Sequence, residues 1–483
     1  MSTNMKNKVL SGLFWRYGEK MCSQGVSFVI SIILARLLTP EDYGVLSLLN
    51  IFIAIANTII ISGFGAALVQ KKNADDVDFS TIFYFNIGLS FFIYAVLFIL
   101  APYISAFYEL PQMTGAFRVL ALSLIFGGYN TVQNAYVQKS MQFKNFFYST
   151  LIATLLSGVI GIVMAYNGFG IWALIAQHLI SRFASVVILQ ITIKWHPILA
   201  FSIERFKGLF NFGWKMFATG VINTVYNNMY SLIIGKFYSA VDLAYYNRGK
   251  QWPDLIIANV DGTINAVLLP AYSQVQDDKK MIKAMMRRAI TTSTYLIIPA
   301  MAGLAAVAKP LTILVLTEKW LPAVPFVQFC CLTFAVWPIH TANLEAIKAV
   351  GRSDLFLKLE IIKKTIGILT LVATIPFGLY IMMIGRFISS IISSFLNASP
   401  NKKLFDYSYF EQIKDITPAI IASLIMGGVV WAITLTSLSP FVMLAVQVVI
   451  GAGLYVALSL LMKIDAFRYL LDTLLEVVKK KRS

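Results

Sequence analysis

The chain has 483 residues, of which 58% are hydrophobic and 13% charged, and its mean hydropathy is +0.73. Soluble globular proteins carry about twice that share of charged residues. The composition therefore excludes a soluble fold and predicts an all-α integral membrane protein. Lysine and arginine (40) outnumber aspartate and glutamate (23), which gives a net charge of +17. The location of these basic residues decides whether the excess means nucleic-acid binding.

Hydropathy predicts 14 membrane-spanning helices, because about 20 apolar residues suffice to cross a bilayer. In chain order these spans are 12–38, 43–69, 80–107, 114–137, 146–167, 169–193, 209–235, 243–270, 289–308, 322–346, 355–376, 378–398, 415–437 and 440–462.

The basic residues follow this topology. Of the 40, 28 fall in or beside the terminal segments and loops on the side of the N-terminus, and 5 on the opposite side. This asymmetry is the positive-inside pattern, so both termini are predicted to be cytoplasmic. The excess then reports membrane topology, and we expect no nucleic-acid partner.

A repeat appears at a separation of 200 residues. Thr39-Pro40-Glu41-Asp42 follows the first span with a hydroxyl residue, a proline and an acid in the order of a helix start. Ser239 and Asp242 have the same spacing in the second copy. The repeat predicts two pseudo-symmetric six-helix lobes of parallel topology, residues 1–200 and 201–400. Residues 401–462 are predicted to add helices 13 and 14. Residues 463–483 are predicted to form either an amphipathic cytoplasmic tail on anionic membrane lipid or a stop-transfer tail.

Polar side chains form a stripe along one face of each of predicted spans 1, 7 and 8, because residues three or four apart share a helix face. Two of them, spans 1 and 7, occupy equivalent places in the repeat, so the polar faces are predicted to meet across one central cavity. The cavity cations are Arg16, Lys20, Lys215, Arg248 and Lys250, the carboxylates are Glu19, Asp254 and Asp261, and the amides are Asn223, Asn227 and Asn265.

Charges inside a membrane mark a pathway or pair with an opposite charge. For Glu19, a local ion pair with Arg16 or Lys20 and a role in ion coupling both stay open. Arg182 and Arg386 have no acid in their spans, which favours packing between helices or snorkelling. His340 is expected to be a packing residue or a proton carrier.

We assign no function to the three cysteines, Cys22, Cys330 and Cys331, because their spacing suits neither a metal nor a disulfide framework. Walker, Rossmann, HExxH and GxSxG patterns are absent from the sequence. We therefore expect no enzyme activity, cofactor or metal.

Five motifs resemble the polysaccharide flippases of the multidrug/oligosaccharidyl-lipid/polysaccharide exporter superfamily, in particular the colanic-acid and lipopolysaccharide exporter type. They are LARLLTPEDYGVLSL (34–48), AYYNR (244–248), LLPAYSQVQDD (268–278), EKWLPAVPFVQ (318–328) and AIKAVGRSDLFLKL (346–359). The resemblance implies alternating access and export of undecaprenyl-pyrophosphate-linked oligosaccharide to the periplasmic leaflet of a bacterial inner membrane. It also implies a polysaccharide polymerase and chain-length machinery as partners.

The related lipid II flippases imply more specific roles. Their cavity cations on helices 1 and 8 correspond by helix and face to Arg16, Lys20, Arg248 and Lys250, which would hold the pyrophosphate. Their helices 13 and 14 form a groove for the polyprenyl tail.

Two other functions remain as alternatives. An ion-coupled multidrug antiporter of the same superfamily would have an acidic, aromatic-lined cavity, whereas the predicted cavity has more cations than acids. A membrane glycosyltransferase or O-antigen ligase would have a long periplasmic loop, and the predicted outer loops are short.

Overall fold

The computed structural model describes residues 3–61 and 63–482, with the side chains of 3–10, 13, 211–213, 215, 216, 263, 265, 266, 474 and 477–482 outside the described set. This part of the chain is helical and contains no strand. Its α-helices are α1 (Thr3–Leu37), α2 (Pro40–Ile61), α3 (Phe64–Gln70), α4 (Asp76–Phe107), α5 (Met113–Ala121), α6 (Ser123–Ser140), α7 (Phe143–Tyr166), α8 (Ile171–Thr192), α9 (Ile203–Phe237), α10 (Ala240–Gln274), α11 (Lys279–Leu316), α12 (Val324–Ala335), α13 (Trp337–Ala349), α14 (Ser353–Thr374), α15 (Leu379–Ala398), α16 (Asn401–Phe405), α17 (Tyr409–Ala432), α18 (Pro440–Leu461) and α19 (Asp465–Arg482).

The all-α membrane fold is confirmed, but the count of 14 spans is not. Among the described residues, 11 helical segments are long and apolar enough to cross a membrane. The predicted spans 114–137, 209–235 and 355–376 are helical in α5–α6, α9 and α14 without reaching that apolar content. Polar side chains explain the difference. The helix α14, for example, carries Lys358, Glu360, Lys363 and Lys364.

The predicted helix starts after spans 1 and 7 are confirmed as capping structures. The Thr39 hydroxyl accepts from the Asp42 backbone N–H at 3.2 Å, and the Asp42 carboxylate accepts from the Thr39 N–H at 3.0 Å. In the second copy, the Ser239 hydroxyl accepts from the Asp242 N–H at 3.0 Å. Reciprocal bonds of this kind satisfy the free N–H groups at a helix start.

Two compact units divide the chain, Met1–Ala244 and Tyr245–Ser483. In the first, α7 packs against α1 and α8, and α9 packs along α2. Small residues allow the close approaches. A side chain on Gly158 of α7 would overlap Ile30 of α1. The predicted boundaries at 200, 400 and 462 follow the sequence repeat instead of these contacts, and they stay predictions.

The second unit is built around α11, which contacts α12, α17 and α18. Buried amides fix α17 in place. Asn343 and Gln412, both fully buried, exchange two side-chain hydrogen bonds of 2.8 and 2.9 Å, and the Asn401 amide donates to the Asn343 oxygen at 2.6 Å.

The predicted amphipathic tail is a helix, α19, and it packs on α11 near its start. The Phe467 ring lies 6.2 Å from the Tyr295 ring, and the Arg288 guanidinium lies 3.9 Å from the centre of the Tyr469 ring. The basic side chains at positions 479–482 lie outside the described set, so contact of this end with anionic lipid stays a prediction.

Candidate functional site

A polar cavity of about 350 Å³ lies within the first unit, between α1, α6, α7 and α8. Its volume is near the lower end of the range of about 300–1,000 Å³ found for ligand pockets. The lining residues are Arg16, Glu19, Asn130, Asn134, Gln138, Phe146, Thr150, Ala153, His178, Ser181, Arg182 and Ser185.

Two charged residues of α1, Arg16 and Glu19, line the cavity. The Arg16 guanidinium donates to the Glu19 carboxylate at 2.8 Å and lies 5.0 Å from the centre of the Phe146 ring. The ion pair considered for Glu19 is therefore present. Lys20, one residue further, is exposed and makes no ion pair within the described part of the chain. The coupling role of Glu19 and the substrate-binding role of Arg16 and Lys20 stay predictions.

Two side-chain stripes complete the cavity wall. On α6, Asn130, Asn134 and Gln138 are spaced four residues apart, and on α8 the stripe consists of His178, Ser181, Arg182 and Ser185. Both spacings place the residues on one helix face.

Hydrogen bonds hold these two helices together. The Asn130 amide of α6 donates to the Ser185 hydroxyl of α8 at 3.4 Å, and within α6 the Asn134 amide donates to Asn130 at 2.6 Å. Further along the two helices, Gln190 accepts from the Tyr129 hydroxyl at 2.8 Å and from the Gln133 amide at 3.1 Å. The spacing of each stripe is visible in the sequence, but the sequence does not show that the stripes of α6 and α8 line the same cavity.

Of the two arginines for which packing was favoured, the structure supports packing for one. Arg386 on α15 donates to the buried Tyr246 hydroxyl and lies over that ring, so it packs between helices. Arg182 instead lines the polar cavity. His340 was expected to pack or to carry a proton. Its Nδ1 atom shares a 3.0 Å hydrogen bond with the Asn397 amide, as expected for a packing residue.

The predicted α10 residues belong to the second unit and are held by protein groups. Arg248 is 8% exposed, donates to Gln251 at 2.8 Å and lies 5.3 Å from the centre of the Trp320 ring. Lys250 pairs with Asp254 at 3.4 Å.

None of the other predicted residues whose side chains the structure describes is among those that line the cavity in the first unit. Asp261 accepts a hydrogen bond from the Thr341 hydroxyl. On α9, Asn223 is half-buried and Asn227 exposed. Lys215 and Asn265 fall outside the described side chains. The single central cavity shared by spans 1, 7 and 8 stays a prediction.

An apolar groove of about 280 Å³ lies in the second unit between α11, α17 and α18. The one polar amide at its wall, Gln447, donates to the Val430 carbonyl at 2.9 Å. Its lining residues are Pro299, Ala300, Gly303, Leu304, Val307, Met426, Val430, Gln447, Val448, Gly451, Ala452 and Tyr455.

Two solved structures share the fold of this chain. A lipid II flippase, MurJ, in an inward closed conformation matches with a TM-score of 0.71 and 14% identity, over 94% of this chain and 100% of that one. An inward-facing multidrug resistance MATE family transporter matches with a TM-score of 0.59 and 13% identity, over 81% of this chain and 99% of the other. The fold is thus one that lipid flippases and drug transporters have in common.

Residues 33–325 match the family described as polysaccharide biosynthesis protein, and the chain belongs to that family. A membrane protein in the cps region of Klebsiella pneumoniae is 25% identical over 94% of this chain and 95% of its own length. The teichuronic acid biosynthesis protein TuaB of Bacillus subtilis is 22% identical over 73% of both chains. The lipopolysaccharide biosynthesis protein WzxC of Escherichia coli is 21% identical over 74% of both. These matches confirm the resemblance to the polysaccharide exporters.

Proposed function

We propose that this protein is a flippase that moves lipid-linked oligosaccharide repeat units from the cytoplasmic to the periplasmic leaflet of a bacterial inner membrane. The observation that carries the proposal is the cavity among α1, α6, α7 and α8. Its lining has two arginines and one carboxylate, together with three amides and several hydroxyl groups. Such a surface suits a hydrated, anionic headgroup and lowers the barrier to moving it through hydrocarbon.

The apolar groove between α11, α17 and α18 suits the lipid tail of the proposed substrate. A polyprenyl chain needs an apolar surface, and the side chains that line the groove are apolar except for Gln447 and Tyr455. We assign the groove to the lipid tail. In this assignment α17 and α18 serve the substrate while the predicted six-helix lobes alternate in access.

The balance of charges in the cavity lining favours this function over drug export. A multidrug antiporter binds cations and needs excess carboxylate in its cavity, whereas the cavity in the first unit has the opposite balance. Undecaprenyl pyrophosphate is the proposed carrier, with Arg16, Lys20, Lys215, Arg248 and Lys250 as its cations. Glu19, Asp254 and Asp261 are the candidate carboxylates for coupling to an ion gradient. Cytoplasmic termini and a polysaccharide polymerase as partner belong to the same proposal.

Leaflet exchange tests the function directly. Full-length protein is reconstituted in vesicles with a fluorescent polyprenyl-pyrophosphate sugar, and the label in the outer leaflet is quenched over time. We expect protein-dependent exchange that falls at least tenfold in the Arg16→Gln/Lys20→Gln double variant. Lys358→Gln removes an exposed cation of α14 and should leave exchange unchanged. Exchange no faster than in protein-free vesicles would refute the proposal, and efflux of a cationic dye in its place would support the antiporter.

A further inference from the structure

Arg182 is the least compensated charge in the cavity of the first unit. It lies in the middle of α8, is exposed towards the cavity, and makes no hydrogen bond or ion pair with any residue that the structure describes. One turn earlier, the Nε2 atom of His178 is buried and also has no hydrogen-bond partner. Two neighbouring residues that line one cavity thus have unused hydrogen-bonding capacity: the Arg182 guanidinium is exposed, and the His178 Nε2 atom is buried.

The other charged side chains that line the cavity do not neutralise Arg182. Arg16 and Glu19 form their own ion pair at 2.8 Å, so together they contribute no net charge. Arg182 therefore leaves the lining with one net positive charge when His178 is neutral. An uncompensated cation within a membrane-spanning helix is costly, and such residues face a pathway or bind an anion.

The chemistry around Arg182 defines the ligand. Guanidinium is planar and binds phosphate or carboxylate with two parallel hydrogen bonds. Asn130 and Asn134 on the facing stripe, with the hydroxyl groups of Ser181 and Ser185, supply the donors and acceptors that sugar hydroxyls require. The volume of about 350 Å³ suits one charged group with an adjoining sugar and is too small for a whole repeat unit.

We propose that Arg182 and His178 form an oxyanion-binding site for the headgroup of the transported lipid-linked oligosaccharide, with Arg182 as the anchor. The oxyanion is a phosphate of the carrier or the carboxylate of an acidic sugar, since both have the same binding geometry. The assignment of the oxyanion to a transported lipid rests on the proposed function. Binding of the anion itself does not.

Direct binding is measured first, on full-length protein in lipid nanodiscs, by calorimetric titration with inorganic pyrophosphate and separately with glucuronate. We expect at least one probe to bind and Arg182→Gln to weaken it at least tenfold, while Arg182→Lys retains part of the affinity. Arg118→Gln is the matched control, because Arg118 is an arginine of α5 whose guanidinium lies over Phe98. A thermal unfolding profile of each variant shows that it is folded. Failure of both probes to bind the unmodified protein, or unchanged affinity in Arg182→Gln, would overturn the proposal.

Leaflet exchange then separates the two sources of the oxyanion. Two synthetic substrates with the same polyprenyl pyrophosphate carry either a neutral sugar or a uronic acid. If Arg182 holds the carrier phosphate, Arg182→Gln slows both substrates. If it holds a sugar carboxylate, only the uronic acid substrate is slowed. Arg182-dependent anion binding without exchange of either substrate would support the site and refute the flippase function, so the two hypotheses can fail separately.

Discussion

Replacing Gly44 with alanine tests a close helix contact in the first unit. Gly44 lies at the start of the second turn of α2, beside Ala240 at the start of α10. A Cβ atom built on Gly44 would lie 1.8 Å from the Ala240 carbonyl oxygen and 2.4 Å from its carbonyl carbon. These two helix starts are the two copies of the repeated capping turn, so the contact joins the repeat-related segments directly.

The size of the effect follows from these distances. Ordinary van der Waals contact begins at 3.4 Å, so the two backbones must separate by about 1.6 Å. Forcing extra atoms into a packed site of this kind costs about 1–3 kcal/mol. Alanine also favours the helix by up to about 1 kcal/mol relative to glycine. Gly88 of α4, where a new Cβ meets nothing within 4 Å, gains that term alone. We expect Gly44→Ala to be less stable than Gly88→Ala by about 1–3 kcal/mol, which is the cost of the close contact alone.

The assay is a denaturant titration of the full-length protein in detergent, followed by tryptophan fluorescence, for both glycine variants and the unmodified chain. Because both substitutions are Gly→Ala within a helix, the propensity contribution cancels in the comparison and the close contact remains. Equal free energies of unfolding for the two variants, within about 0.5 kcal/mol, would show that the start of α2 does not pack against Ala240 in this way.

Three further predictions concern other parts of the chain. Asn343→Leu leaves the buried Gln412 amide without partners, and denaturant titration should show a loss of about 2–4 kcal/mol, since each orphaned buried group costs about 1–3 kcal/mol. The hydrogen bond from Arg205 lowers the pKa of Asp75 from 3.8 to about 2. The stability from this pair should be complete above about pH 4 and lost as the pH falls through 2, and Asp75→Asn should flatten that dependence. Gly451→Leu fills the apolar groove, and leaflet exchange should fall more for a long polyprenyl tail than for a short one.

Local signals in the sequence predicted the helices and their starts, but not every break within the spans. The predicted span 43–69 is two helices, because Gly63 adopts a left-handed conformation with a φ of 73° between α2 and α3. The predicted span 322–346 likewise begins in a 3-10 turn and divides before Trp337, with Pro338 in the first turn of α13. Hydropathy averages over such breaks, whereas glycine and proline mark them.

The cavity shows where sequence reasoning stops. The stripe on α8 that contains His178 and Arg182 could be read from its spacing, yet Arg182 was judged by the absence of an acid in its own helix. Its surroundings come from α6 and α1, which are 40 or more residues away in the chain. Whether a membrane cation packs, pairs or faces a cavity depends on tertiary contacts. From the sequence, such a residue can be interpreted only from the other charges in its own helix.

The membrane-embedded cations differ in the protein contacts with which an anionic ligand competes. Arg248 is stacked on Trp320 and bonded to Gln251, and Lys250 is paired with Asp254. If these two residues bind pyrophosphate, the anion competes with those contacts, and a cation over an aromatic ring alone is worth about 0.5–2 kcal/mol. Arg182 gives up no hydrogen bond or ion pair with a described residue when it binds an anion. Anion binding at the predicted α10 cations therefore competes with contacts inside the second unit, whereas the proposed site at Arg182 has no such competition from the described residues.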